Sequence, residues 1–315
     1  MTAPGATRRH VFGPVPSRRL GRSLGIDLLP PKVCSLDCVY CQVSRTTSHT
    51  LERSSHADPQ AVLDEVREVL AGGRTFDAVT FSGTGEPTLS LELGPVLRGL
   101  GGLGTFRRVV ITNGTLLWRP DVRADLAEAE LVIPTLDAAT EATFAAVHRP
   151  APGLTLARHI EGLERFSRDF RGEIWLEVML VAGMNDADAD LDALGGLIAR
   201  LRVDRVQLNT VVRPPVERAL ARPVPPGRLA DLAARLAPIH PHVEIIGHFE
   251  APEGAAPVSE ADLLALLARH PGRADEVAEA LGTSRERVQA LVTPLLASGR
   301  LAADERGCLS VPTPR

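Results

Sequence analysis

Short apolar runs alternate with amphipathic stretches through most of the chain. Leu24–Leu29, Ala78–Ser82, Arg108–Thr112, Leu131–Leu136, Ile174–Val181 and Arg205–Thr210 are rich in Val, Ile and Leu, which predicts strands buried on both faces. Val243–Gly247 is a candidate for one more. Between these runs the apolar spacing takes the helical period. Pro59–Leu70 sets Val62, Val66, Val69 and Leu70 on one side, with Asp58 placed as a cap. Pro95–Leu100, Asp121–Ala129, Leu154–Arg168, Asp188–Arg202 and Arg228–Leu236 read the same way. Strands alternating with helices imply an α/β fold built on a parallel sheet. The sheet is either open and doubly wound or a barrel that fails to close, and periodicity does not separate the two.

In parallel α/β folds the functional groups lie at the C-terminal ends of the strands. The polar signals of this chain fall there. Three cysteines follow the first predicted strand, and the second runs into Ser82-Gly83-Thr84-Gly85-Glu86-Pro87. The third ends at Asn113-Gly114, the fourth at Asp137, and the sixth at Asn209-Thr210. Asn185 and Asp186 follow the fifth, where they suit a helix cap.

Residues 251–257, Ala-Pro-Glu-Gly-Ala-Ala-Pro, read as a linker between a domain over 1–250 and a smaller one over 258–315. Ser259 is placed to cap a helix over Glu260–Arg269. Ala274–Leu281 is a second helix ended by Gly282, and Ser284 caps a third that runs to Ala297 with Pro294 inside it. Leu301–Ala303 and Cys308–Val311 suit a hairpin turning at Glu305-Arg306-Gly307. Three helices and a hairpin resemble a winged helix-turn-helix. Residues 255–315 carry seven Arg, eight acidic residues and no Lys, against the basic face of a DNA binder. That favours packing or protein recognition over nucleic-acid binding.

The composition is globular, with 44% apolar and 23% charged residues, which excludes disorder as the main state. No run of about 18 uncharged apolar residues occurs, against a membrane-spanning helix. Residues 1–10 lack an apolar segment, against a secretory leader. A net charge of -4 and 3% aromatics argue against binding nucleic acid by bulk charge or base stacking. Basic charge is almost all Arg, and Lys32 is the one lysine of the chain.

Cysteine usage narrows the chemistry. Cys34, Cys38 and Cys41 crowd one loop, while Cys308 stands alone and reads as a small buried apolar residue. Three close thiols in a cytoplasmic-looking chain suggest a metal or a cluster and not a disulfide scaffold. Three thiolates can cap three corners of an iron–sulfur cubane, which leaves the fourth iron open. The alternative is zinc with His49 or His56 as fourth ligand, in a sensor or regulator with a DNA-binding winged helix. Only one of the two gaps in the cysteine loop has the two-residue spacing that zinc favours, which tilts the reading to the cluster.

The Cys34-x3-Cys38-x2-Cys41 loop, with Tyr40 before the last Cys, resembles the signature of the radical S-adenosylmethionine (SAM) enzymes. The resemblance covers roughly residues 11–250. It implies a partial (β/α)6 TIM-like barrel with a [4Fe–4S] cluster on Cys34, Cys38 and Cys41. SAM would chelate the free iron and be cleaved reductively to a 5′-deoxyadenosyl radical that abstracts hydrogen from a substrate. The resemblance places Tyr40 near the adenine, and Gly83, Thr84, Gly85 and Glu86 at the methionine amino group. Asn113 and Asp137 are candidates for the ribose or the substrate, and Asn209 for the adenine. It further implies an electron donor such as flavodoxin or ferredoxin, and an RNA, peptide or small-molecule substrate. Arg18, Arg19 and His148 are candidate substrate contacts because they lie beside the matched motifs.

Residues 12–21, Phe-Gly-Pro-Val-Pro-Ser-Arg-Arg-Leu-Gly, and the segment from Asp137 to His148-Arg149-Pro150 are similar to a narrower group, related to the tRNA wyosine-base synthases. Those synthases carry a second cluster on further N-terminal cysteines and hold pyruvate on a lysine. Here no Cys precedes Cys34, and Lys32 lies two residues before the first candidate ligand. Common ancestry is expected, but not the wyosine ring-forming reaction.

Overall fold

Apolar runs buried on both faces need cover on both sides, and the strand order shows how this chain supplies it. In the computed structural model β1 (Val11–Ser17) pairs antiparallel with β2 (Gly21–Ile26). β3 (Val33–Cys34) and β4 (Ser48–His49) form a small parallel pair beside the cysteine loop. Then follow α1 (Pro59–Ala71), β5 (Ala78–Phe81), α2 (Leu93–Leu100), β6 (Arg107–Thr112), α3 (Pro120–Leu126) and β7 (Leu131–Pro134). α4 (Glu141–His148), α5 (Leu156–Asp169), β8 (Glu173–Leu180), α6 (Asp188–Ile198), β9 (Arg205–Thr210), α7 (Pro226–Leu236) and β10 (Val243–Ile245) complete the unit. The structure describes residues 9–17, 19–212, 215–246, 258–268, 271–281, 283–304 and 307–312. Arg18, Gly247, the 251–257 linker, Arg269, Gly282 and the turn residues Glu305 and Arg306 lie outside the described residues.

The large sheet runs β1-β2-β5-β6-β7-β8-β9-β10, parallel from β2 onward and without a reversal of order. A doubly wound sheet needs such a reversal, so that alternative falls. The first and last strands are not neighbours, so the barrel stays open. Val62, Val96, Val122, Leu163, Leu191 and Leu229, from six different helices, share one core with Val79, Phe81, Val110 and Leu208 of the strands. The helices therefore cover one face. Alternate strand residues, Ala78, Val109, Leu131, Ile133 and Trp175, close on Leu20 inside the curve and plug its lower end. Each large aliphatic side chain so buried contributes about 1.5–3 kcal/mol.

The cap at Asp58 forms as expected, accepting from Gln60 N at 3.0 Å. Asn185 and Asp186 do not cap α6, whose N-cap is Ala187 with no side-chain bond. Asn185 is fully buried and stitches the end of β8, accepting from Val181 N at 2.7 Å and donating to the Asp137 and Met179 carbonyls.

After residue 257 come α8 (Glu260–Leu267), α9 (Ala274–Leu281), α10 (Arg285–Ala297) and the antiparallel pair β11 (Ala302–Ala303) and β12 (Leu309–Ser310). They enclose a core of their own around Leu263, Val277, Val288 and Leu295. Ser259 and Asp262 close a reciprocal cap on α8. Buried Asp262 also faces Arg74 at 3.4 Å and Arg22 at 3.7 Å, which seats α8 against the β1–β2 hairpin. Cys308 is half-buried and not the core residue expected, because it lies just before β12, where the neighbouring Leu309 takes the core position instead.

Candidate functional site

A cavity of about 430 Å3 opens at the C-terminal ends of the strands. The cysteine loop forms one wall, and its backbone is strapped down on both sides. Asp37 N and Val39 N donate to the carbonyls of His148 and Val147, both at 2.9 Å, so the C-terminal end of α4 holds the loop. Val216 N donates to Cys41 O at 2.9 Å from the other side. Outside, Arg45 pairs with Asp37 at 2.8 Å and Arg149 with Glu217 at 3.0 Å.

Cys34, Cys38 and Cys41 all line the cavity and are half-buried. Each sulfur meets a nitrogen from a different element. Asn113 Nδ2 lies 3.6 Å from Cys34 Sγ, His148 Nδ1 3.3 Å from Cys38 Sγ, and Lys32 Nζ 3.1 Å from Cys41 Sγ. Burial pushes the Cys34 thiol up to about 12, with Glu86 adding to it. It pushes Cys38 well above its ordinary range, with Cys34 and Cys41 adding to it. The three sulfurs therefore sit within one another's field, and iron bound to them would displace their protons.

A single tetrahedral ion would draw its sulfurs to about 3.8 Å from one another, from Zn–S bonds of about 2.3 Å. Among the described residues no three His, Cys, Asp or Glu side chains form such a group. His49 is engaged with the Ser35 carbonyl at 3.1 Å and His56 with Ser54 Oγ at 2.8 Å. The donor set is three soft sulfurs on one rim, with the glycine turn and Glu86 lining the same cavity, which suits a cluster and a small cofactor better than zinc.

The turn after β5 is built differently from its reading in the sequence. A Cβ on Gly83 would stand 2.3 Å from the Asp27 carboxyl carbon, and one on Gly85 2.5 Å from the Val33 carbonyl oxygen. These glycines make room for the chain itself. Thr84 turns away from the cavity and donates to Asp27 Oδ2 at 2.9 Å. Glu86 lines the cavity but is 3% exposed, and its oxygens accept from Thr88, Thr112 and Asn113. Burial raises its pKa, with those bonds working against the rise.

Asn113 lines the cavity with its amide committed to the loop, donating to Ser35 Oγ at 2.9 Å and accepting from Thr115. Asp137 is fully buried and is not among the cavity-lining residues. It accepts from Tyr40 OH and Met179 N, both at 2.6 Å, and burial raises its pKa to about 8. Tyr40 therefore offers the cavity its ring, with its hydroxyl anchored behind. Asn209 lines the cavity at 2% exposure. His148 is 1% exposed and is not among the cavity-lining residues, with Nε2 3.5 Å from Asp137 Oδ2. Arg19 does reach the cavity, where its guanidinium bonds to Glu177 and, at 2.8 Å, to Gln207.

Sequence reasoning missed the nitrogen donors to the sulfurs. The sequence offers Asn113 and His148 for the ribose or the substrate, and nothing local shows that they face sulfur. Lys32 did carry one, as the single lysine of an arginine-rich chain. Missed too were α4, the helix that holds the loop, and Glu177.

A protein-family model described as the radical SAM superfamily matches residues 28–194. Over 281 residues the chain is 33% identical to a UPF0026 protein of Methanocaldococcus jannaschii, covering 87% of this chain and 86% of that one. It is 32% identical over 301 residues to a protein of Brachyspira hyodysenteriae named GTPase Obg, covering 93% of this chain and 43% of that one. The chain thus spans less than half the length of that relative. A probable dual-specificity RNA methyltransferase of Opitutus terrae is 29% identical over 208 residues, 62% of this chain and 56% of that one. Among solved structures, a radical SAM methyltransferase from Sphaerobacter thermophilus superposes with a TM-score of 0.55 at 19% identity, over 74% of this chain and 68% of that one. Streptococcus suis SuiB bound to its precursor peptide SuiA gives 0.54 at 13% identity, over 72% and 50%. TYW1 with a lysine–pyruvate adduct gives 0.52 at 17% identity, over 70% and 74%. At those identities the likeness is one of fold.

Proposed function

The chain belongs to the radical SAM superfamily, whose members use a [4Fe–4S] cluster and SAM, and from that premise we propose that Cys34, Cys38 and Cys41 hold the cluster and the glycine turn receives SAM. One observation carries this reading: the three thiols and Gly83, Gly85 and Glu86 line one cavity at the C-terminal rim of the strands. Bound there, the cluster and SAM supply one-electron reduction and a 5′-deoxyadenosyl radical for hydrogen abstraction. The protein positions and shields. The α4 straps fix the loop, Asn113 braces Cys34 and Ser35, and Glu86 clasps the β5 and β6 turns so that the rim is preorganised. Tyr40, held by Asp137, presents its ring to the adenine side, and Asn209 lies on the same wall. Arg19 and Glu177 would offer the substrate a polar wall of the cavity, with Gln207 bonded to Arg19 behind it.

The substrate we infer is an RNA base, on the strength of the relative named as an RNA methyltransferase. A peptide is the outcome that would replace it. The second module, residues 258–315, then serves to present the substrate, since Leu266 of α8 reaches the cavity. A cytoplasmic flavodoxin or ferredoxin would deliver the electron. Among the described residues no helix is long and apolar enough to cross a membrane.

Oxygen-free purification tests the reading. About four iron and four sulfide per chain, and reductive release of 5′-deoxyadenosine from SAM, are expected. Iron-free, zinc-loaded protein after anaerobic reconstitution would refute it. Comparing modified nucleosides and peptides in a deletion strain then decides the substrate class.

A further inference from the structure

Lys32 occupies a position that a lysine takes only under constraint. Its backbone is left-handed, with φ at 60°, a region that long side chains rarely adopt. Three main-chain bonds hold it there: its N–H to Thr84 O at 2.8 Å, and the N–H groups of Thr47 and Ser48 to its carbonyl at 3.1 and 3.0 Å. The side chain is buried to 4% exposure and ends with Nζ 3.1 Å from Cys41 Sγ. Among the described residues no carboxylate forms an ion pair with it. Asp37, the acidic group in its field, is already engaged with Arg45 and Thr46. A buried ammonium without a counter-charge is costly, and negative charge on the sulfur it reaches, Cys41 Sγ, would offset that cost.

We propose that Lys32 is the fixed cation that raises the reduction potential of the cluster held by Cys34, Cys38 and Cys41, acting through Cys41 Sγ. The inference rests on the cluster assignment above. Asn113 and His148 offer the other two sulfurs an amide and an imidazole nitrogen, while Lys32 offers Cys41 an ammonium. One electron enters from an external low-potential donor, no bond forms or breaks, and no proton moves. The negative charge of the site grows by one, and a cation 3.1 Å from a ligating sulfur stabilises that added charge. Lys32 is thus a positioning residue for the electron, acting through the Cys41 sulfur.

An EPR-monitored redox titration of the reconstituted holoenzyme tests this with wild type, Lys32→Met and Lys32→Arg. Iron and sulfide are measured on each sample. Lys32→Met with full iron and sulfide should show at least a roughly tenfold lower ratio of reduced to oxidised cluster at a fixed potential, about 59 mV for a one-electron couple. Lys32→Arg should stay with wild type. An unchanged ratio in Lys32→Met overturns the proposal, as does Lys32→Arg titrating with Lys32→Met. A Lys32→Met protein that takes up no iron while Lys32→Arg does overturns it in favour of an assembly role. Failure of the underlying reading looks different, because wild type itself would then hold no iron–sulfur cluster.

Discussion

The backbone N–H of Asn113 donates to Oε2 of Glu86 over 2.8 Å, tying the end of β6 to the turn after β5. Oε1 of the same carboxylate accepts from the Thr88 main chain at 3.1 Å and from the Thr88 and Thr112 hydroxyls. Four donors thus converge on a side chain that is 3% exposed. Glutamine keeps the volume but turns one oxygen into a donor that faces another donor. Glu86→Gln should therefore lose about 1–3 kcal/mol of stability in urea denaturation. A variant as stable as the parent would show that the clasp contributes nothing.

The cysteines should separate cleanly. Cys34→Ala, Cys38→Ala and Cys41→Ala each remove a sulfur from the cavity wall, so each should lose the iron–sulfur absorbance and drop SAM cleavage to background. Cys308→Ala should keep both, since Cys308 sits on the hairpin of the second module and not on that wall. Iron, sulfide and 5′-deoxyadenosine measured on the four proteins check this. Normal cleavage by Cys38→Ala would remove Cys38 from the ligand set.

Strands buried on both faces announce themselves as short runs enriched in Val, Ile and Leu, which is why β5, β6, β7, β8 and β9 were legible. β1 was not. Its sequence, Val11-Phe-Gly-Pro-Val-Pro-Ser17, carries the prolines and glycine of a loop, and an antiparallel edge strand tolerates them because half of its N–H groups need no partner. α4 was missed because its eight residues follow β7 closely and show little amphipathic pattern. At the site, residue types set by the sulfur chemistry could be read from spacing. The roles of Asn113, Asp137, Thr84 and His148 could not, because each depends on which buried partner lies behind it.

His159 makes the acid limb of stability predictable. It is 1% exposed, packs on Phe144 with ring centroids 5.7 Å apart, and neither ring nitrogen makes a hydrogen bond. Burial lowers its pKa from 6.5 to about 4, with the nearby Thr135 main chain offsetting this only in part. A depressed base means that the unfolded chain binds the proton first. The stabilising contribution of the neutral ring is therefore present above pH 6.5 and lost as pH falls toward 4. His159→Leu should flatten the dependence of the urea midpoint in that window by one proton's worth, about 1.4 kcal/mol per pH unit. His148, lowered to about 3 by burial, remains to give the residual slope. An unaltered slope would place the acid sensitivity elsewhere.

Arg53 shows how the loop beyond the cysteines is fastened to the barrel. Its side chain is 4% exposed, and it donates from Nε to Thr88 O at 2.9 Å and from Nη2 to Ser90 O at 2.8 Å. The same guanidinium pairs with Asp125 and, at 3.1 Å, with Asp121. One side chain thus joins the strand-like segment at Ser54, the turn after Glu86 and α3. Arg53→Met keeps the aliphatic packing but leaves two carbonyls and the 18%-exposed Asp125 without their donor. Removing one partner of a buried pair costs about 3–5 kcal/mol, because the stranded charge stays behind. Asp121→Asn should cost only about 0.2–1 kcal/mol, since Asp121 is 45% exposed. Arg119, ahead of Arg53, holds its carboxyl down at about 2. Adding Asp125→Asn to Arg53→Met should recover part of the loss, as a double-mutant cycle on thermal unfolding would measure. No recovery would mean that the two carbonyls, and not the stranded carboxylate, set the cost.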